Sequence, residues 1–176
     1  MPRVRAFRSD AAYRVGVPIG RQMHESLRSL DSQGVEILGR NWLVNRLVED
    51  GVEVARPERD HGVDLVAYLG IETARPFLAR PIQLKAATSA SFAIDRKYER
   101  IRDLLIAYVW LGENACFGLS YPEAIAVGDA MRYTATSSWQ VEGKYSTVRP
   151  SMKLRALLEP YRMERGSWRR RIMSEP

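Results

Sequence analysis

The feature that most constrains this chain is a change of period in its apolar residues near Gly51. Before that point they fall at helical spacing. Val35, Leu38 and Trp42 share one stripe, which Leu43, Val44, Leu47 and Val48 widen. Gly51 stands where a helix C′ residue belongs. After it the period shortens to that of strands. Val52 and Val54 alternate with polar residues. Pro57 to Gly62 is turn chemistry, and Val63 to Leu69 is a second strand, ended by Gly70. A loop with Pro76 and Pro81 leads to a third strand over Ile82 to Ala86. A polar connection with Ser89 and Ser91 follows, then a predicted helix from Asp95, its N-cap, to Ile101. Leu104 to Leu111 and Ala115 to Ser120 read as two strands around a Gly-Glu-Asn turn. Pro122 opens a helix to about Met131, and Ser151 to Tyr161 is the last predicted helix. The expected fold is mixed α/β, a central mixed sheet flanked by helices, in the order αβββαββα plus a C-terminal helix.

The 176 residues make one domain's worth of chain. The longest apolar run, Leu104 to Leu111, is far short of the ~20 residues of a spanning helix. No apolar segment of the secretory kind follows the Arg-rich start. The lone cysteine, Cys116, can make neither an internal disulfide nor a cysteine-rich zinc site. No membrane association and a cytoplasmic setting are the expectations. The net charge of +6 is unevenly spread. Residues 1–30 hold six arginines against Asp10 and Glu25, and residues 151–176 hold seven basic residues against three glutamates. The chain therefore divides into a basic N-terminal arm (1–30), an α/β core (31–150), and a C-terminal helix with a basic tail (151–176). Trp168-Arg169-Arg170-Arg171 in that tail is a candidate for non-specific phosphate contact.

Several standard sites are missing from the sequence. There is no Gly-rich phosphate loop ending in Lys-Ser or Lys-Thr, no nucleophile elbow, and no histidine pair at metal spacing; His24 and His61 are far apart. What remains is Asp64 in His-Gly-Val-Asp-Leu-Val, followed by Gln83-Leu84-Lys85. Strand side chains alternate, so Gln83 and Lys85 share a face. If the second and third strands pair, Asp64 joins them at one end of the sheet. A carboxylate and an amide oxygen are hard ligands suited to Mg²⁺. An adjacent ammonium can orient or deprotonate a water and stabilise charge developing on phosphate. The plainer alternative is an Asp closing a turn beside a polar pair and a solvated Lys.

Residues 39–85 resemble the PD-(D/E)xK nuclease superfamily, which includes Holliday-junction resolvases and many restriction endonucleases. The likeness rests on the helix before Gly51, Val52-Glu53-Val54, Gly62-Val63-Asp64-Leu65-Val66 and Ile82-Gln83-Leu84-Lys85. It implies a restriction-endonuclease-like core that hydrolyses phosphodiester bonds in DNA with Mg²⁺, or Mn²⁺ in its place. Asp64 would be the metal-binding acid, Gln83 would replace the second acid, the Leu84 carbonyl would join them on the metal, and Lys85 would be the catalytic lysine. The implied partner is double-stranded or branched DNA, and a homodimer is the family's way of cutting both strands. Two residues depart from the pattern. Gln83 is neutral and leaves the metal one negative charge. The position about eleven residues before Gly51, a Glu in many relatives, is Arg40 here. At ~4 Å and an effective dielectric near 20, a like-charge pair costs about 4 kcal/mol. Arg40 therefore either points away, toward nucleic acid, or pairs with Asp64 and displaces the metal. Glu36 lies one turn earlier on the same face. It either supplies a third carboxylate or is an exposed first-turn acid that suits the helix dipole.

Arg96, Lys97 and Arg100 surround Tyr98 in a basic segment, and Thr88 and Ser89 follow Lys85. All are candidates for phosphate-backbone contact. Three expectations stand: a metal-dependent endonuclease; the same fold without catalysis, binding nucleic acid or protein; and an accessory or immunity-type interaction module whose basic ends serve solubility.

Overall fold

The structure is a computed structural model that describes residues 27, 29–59, 61–70 and 77–174. The basic arm over 1–30, with His24, lies outside the described residues except for 27, 29 and 30.

Helix α1 spans Ser32–Glu49. Asp31 starts it by accepting the Gly34 N–H at 2.7 Å, an N-cap one residue ahead of the helix. Gly51 ends it with φ +69, a left-handed conformation that glycine adopts without a Cβ penalty. The buried positions are Gly39, Leu43 and Leu47, spaced by four. This corrects the stripe read from the sequence, since Leu38 and Val48 face outward. The reason is Gly39. A Cβ there would overlap the Cβ of Ala86, so α1 rests its backbone directly on the sheet along this line. Gly39→Ala should therefore reverse the usual gain of an alanine in a helix. We expect a loss of about 1–3 kcal/mol from overpacking, read as a lower denaturation midpoint, and recovery when Ala86→Gly is added.

The strands are β1 (Glu53–Ala55), β2 (Leu65–Leu69), β3 (Leu78–Ala87), β4 (Phe92–Asp95), β5 (Leu105–Trp110), β6 (Ala115–Ser120) and β7 (Lys144–Thr147). The main sheet has the order β1-β2-β3-β5-β6. Its pairs are antiparallel except β3 with β5, which run parallel. A mixed central sheet flanked by helices is thus present, as the sequence leads one to expect. β5 is buried at all six positions. Leu105, Ala107 and Val109 enter one core with α1, while Ile106, Tyr108 and Trp110 enter the other, as the alternation of strand side chains requires.

β3 changes neighbours along its length. It pairs with β2 from Leu78 to Ile82 and with β5 from Ile82 to Ala87. Pro81 lies in the part with a neighbour on one side only, where a missing N–H is tolerated. The strand is longer than its sequence reading because Pro81 does not break it.

Four other segments differ from expectation. Phe92–Asp95 forms β4, which pairs with β7 in a small second sheet that the alternation did not reveal. The predicted helix over 95–101 is a 3₁₀ turn, Arg96–Arg100, with Asp95 accepting the Lys97 N–H. Helix α2 (Tyr121–Ala130) opens one residue early on a capping box between Ser120 and Glu123. Beyond it come α3 (Ser137–Glu142), β7 and α4 (Met152–Leu158). Finally, the basic tail contains helix α5 (Ser167–Met173), with Trp168 and Ile172 in the α1 core. Its exposed first N–H groups have no cap of their own. Asp50, at the end of α1, supplies one: its carboxylate accepts the Gly166 N–H at 2.6 Å and the Trp168 N–H at 2.9 Å. Met163 then lies along β6, donating to the Cys116 carbonyl at 2.8 Å. Cys116 itself is fully buried, and burial pushes its thiol well above the usual range. Among the described residues no helix is long and apolar enough to cross a membrane.

Candidate active site

The site forms where β3 leaves β2. Asp64 is the residue before β2, and its N–H donates to the Ile82 carbonyl at 2.9 Å. One residue further along β3 the edge toward β2 is free. The Leu84 N–H on that edge donates to Asp64 Oδ2 at 2.6 Å, so a carboxylate replaces the missing strand partner. The Gln83 side-chain amide donates to the same Oδ2 and also to the Leu84 carbonyl at 3.1 Å. Sequence order alone did not show this split. It follows from β2 being short, so that Asp64 reaches around the end of its own strand.

A pocket of about 510 Å³ opens here, and its walls include Glu36, Asp64, Gln83, Leu84, Lys85, Lys97 and Arg100. These come from α1, the turn before β2, β3 and the 3₁₀ turn after β4. The wall also includes residues that the sequence does not mark as candidates, His61 and Tyr98 among them. Tyr98 had a signal: it is the aromatic within the basic segment. His61 had none beyond its place three residues before Asp64.

Arg40, Arg96, Thr88 and Ser89 stand elsewhere. Arg40 pairs with Glu36 one turn back, so the guanidinium is turned to a neighbour on its own helix. Glu36 is correspondingly occupied, although it lines the pocket. Arg96 stacks over the Trp139 ring at 5.1 Å and donates to the Trp139 carbonyl at 3.3 Å, away from the pocket. Thr88 and Ser89 do not line it; the Thr88 carbonyl accepts from Gly112 at the turn after β5.

The Lys85 ammonium lies 5.1 Å from the Tyr98 ring centroid and the Lys97 ammonium 4.9 Å from the same ring. Burial pushes the Tyr98 hydroxyl above its ordinary range; the nearby Lys85 ammonium pulls the other way, and Asp95 and Asp64 add to the rise. The phenol is therefore neutral at pH 7.

Among the described residues no group of three or more His, Cys, Asp or Glu could hold a metal. The donor set is of a different kind. Asp64 Oδ2 and the Leu84 carbonyl both accept from one group, the Gln83 NH₂. A carboxylate oxygen and a main-chain carbonyl oxygen are hard donors of the class that Mg²⁺ takes. Turning the Gln83 amide over would replace that NH₂ with its own oxygen. These residues fit a weakly held Mg²⁺ that keeps most of its waters.

No protein-family model, curated protein or solved structure matches this chain.

Proposed function

We propose that this chain is a divalent-metal-dependent nuclease of the PD-(D/E)xK type, acting on double-stranded or branched DNA. One observation carries the reading: Asp64, Gln83 and Lys85 line a single pocket at the point where β3 parts from β2. Further support comes from the strand order, with β2 antiparallel and β5 parallel to the strand that bears Gln83 and Lys85. On this reading the core is restriction-endonuclease-like.

Asp64, the Gln83 amide oxygen and the Leu84 carbonyl would hold Mg²⁺ or Mn²⁺. When bound, such an ion polarises a phosphoryl oxygen and lowers the pKa of a coordinated water. Lys85 orients the attacking water and offsets negative charge on the phosphate. Lys97 and Arg100, on the same wall, bind the sugar-phosphate backbone without reading sequence. A homodimer that cuts both strands belongs to the same proposal, as does a cytoplasmic setting for the lone thiol. The test is incubation with supercoiled, linear and four-way-branched DNA and Mg²⁺ or Mn²⁺. Cleavage of at least one substrate is expected, and cleavage of none overturns the reading.

A second reading is favoured by a specific pair of contacts. Gln83 points its NH₂ at Asp64, and Arg40 holds Glu36. Both suit a fold that has kept its shape and lost its metal, and now binds nucleic acid or protein. Calorimetric titration with Mn²⁺ separates the two: millimolar or tighter binding favours the enzyme, and none favours the binding module.

A further inference from the structure

Tyr98 joins the two halves of the pocket. It sits in the 3₁₀ turn after β4 and is almost wholly buried. One side of the ring rests against the turn that carries Asp64. Gly62, two residues before Asp64, has φ +90, and a Cβ there would lie 3.3 Å from Tyr98 Cε1. The ring also takes both lysine ammoniums, Lys85 at 5.1 Å and Lys97 at 4.9 Å. Lys97 has a second tether, Asp95, at 3.5 Å.

A lysine on a four-carbon stem has many rotamers to lose. An ammonium drawn to the face of a buried ring loses that freedom before any ligand arrives. The ring is fixed by the core, so its position is set by packing and not by the lysines.

We propose that Tyr98 is a positioning residue: its ring holds the Lys85 ammonium in the pocket that Asp64 lines, and the same ring sets Lys97 at a constant spacing from it, so that two cations meet neighbouring oxyanions of one nucleic-acid backbone. The catalytic consequence rests on the nuclease reading above. The ring contact does not.

The experiment uses the full chain with ¹³C-labelled lysine and the variants Tyr98→Phe and Tyr98→Leu. The Lys85 and Lys97 Cε–H resonances are assigned by Lys85→Arg and Lys97→Arg. In the wild type both should be shifted upfield by the ring. Tyr98→Phe should keep those shifts, and Tyr98→Leu should return both resonances to the position of exposed lysines. In cleavage assays kcat should stay near the wild-type value in Tyr98→Phe and fall about a hundredfold in Tyr98→Leu. Unaltered lysine resonances in folded Tyr98→Leu overturn the proposal, as does wild-type kcat in that variant. Where Tyr98→Leu does not fold, the wild-type resonances decide: upfield shifts at both lysines support the proposal and unshifted resonances overturn it. If the wild type cuts no DNA, the nuclease reading falls and the resonances still decide the ring contact.

Discussion

Asp64→Ala is expected to abolish DNA cleavage while leaving DNA binding intact or tighter. The carboxylate is the one formally charged ligand in the proposed donor set, so its loss removes several kcal/mol of charge stabilisation, about a thousandfold or more in kcat. Binding should not follow, because Lys85, Lys97 and Arg100 remain on the pocket wall and one negative charge has gone. A purely structural Asp64 makes a different forecast. The same substitution strips the Leu84 N–H of its acceptor, which costs about 1–3 kcal/mol of stability whatever the function. Cleavage, DNA affinity and the thermal midpoint measured on one preparation separate the two. Lost cleavage with retained affinity below the midpoint supports the enzyme. Cleavage at the wild-type rate removes Asp64 from the mechanism.

Trp168→Ala should be among the most destabilising single changes in the molecule. The indole is fully buried between α1 and the sheet, among Leu43, Leu47 and Ile172. Removing it costs about 3–5 kcal/mol for lost contact and the cavity left behind. For a chain of this size that lowers the thermal midpoint by roughly 10 °C or more. Circular dichroism against temperature reads it. A shift of no more than a degree or two would mean that α5 is not docked as described. By contrast, Arg169→Ala or Arg170→Ala should leave the midpoint nearly unchanged, since both are exposed.

That contrast shows where sequence reasoning reaches its limit. In the sequence, Trp168-Arg169-Arg170-Arg171 reads as a charged tail because three adjacent cations dominate the segment. Burial of its flanking Trp168 and Ile172, one turn apart, depends on Asp50 capping a helix more than a hundred residues away in the chain, and no local pattern contains that contact. β7 escaped for a similar reason. Lys144 to Thr147 has a single aromatic and no alternation, and it is a strand only because β4 lies beside it. The opposite case is β5. Its unbroken apolar run could be read directly, because a strand covered on both faces needs apolar residues at every position.

The site was legible in part. Asp64, Gln83 and Lys85 could be placed together because the two strands were recognisable and neighbours in sequence often pair. The turning of Arg40 toward Glu36 could not, since an i, i+4 ion pair and a guanidinium reaching for Asp64 are both open to the same residue. Nor could the role of Gly39, whose missing side chain sets how near α1 approaches β3.

Cys116 turns its burial into a practical handle. A thiol sealed inside the central sheet, with its ionisation suppressed, is mute to disulfide reagents while the sheet stays closed. Because the sequence contains no other cysteine, the labelling rate in native buffer becomes a clock for spontaneous opening of the domain. The chain thus carries its own reporter of how seldom its centre is exposed, with no engineered residue added.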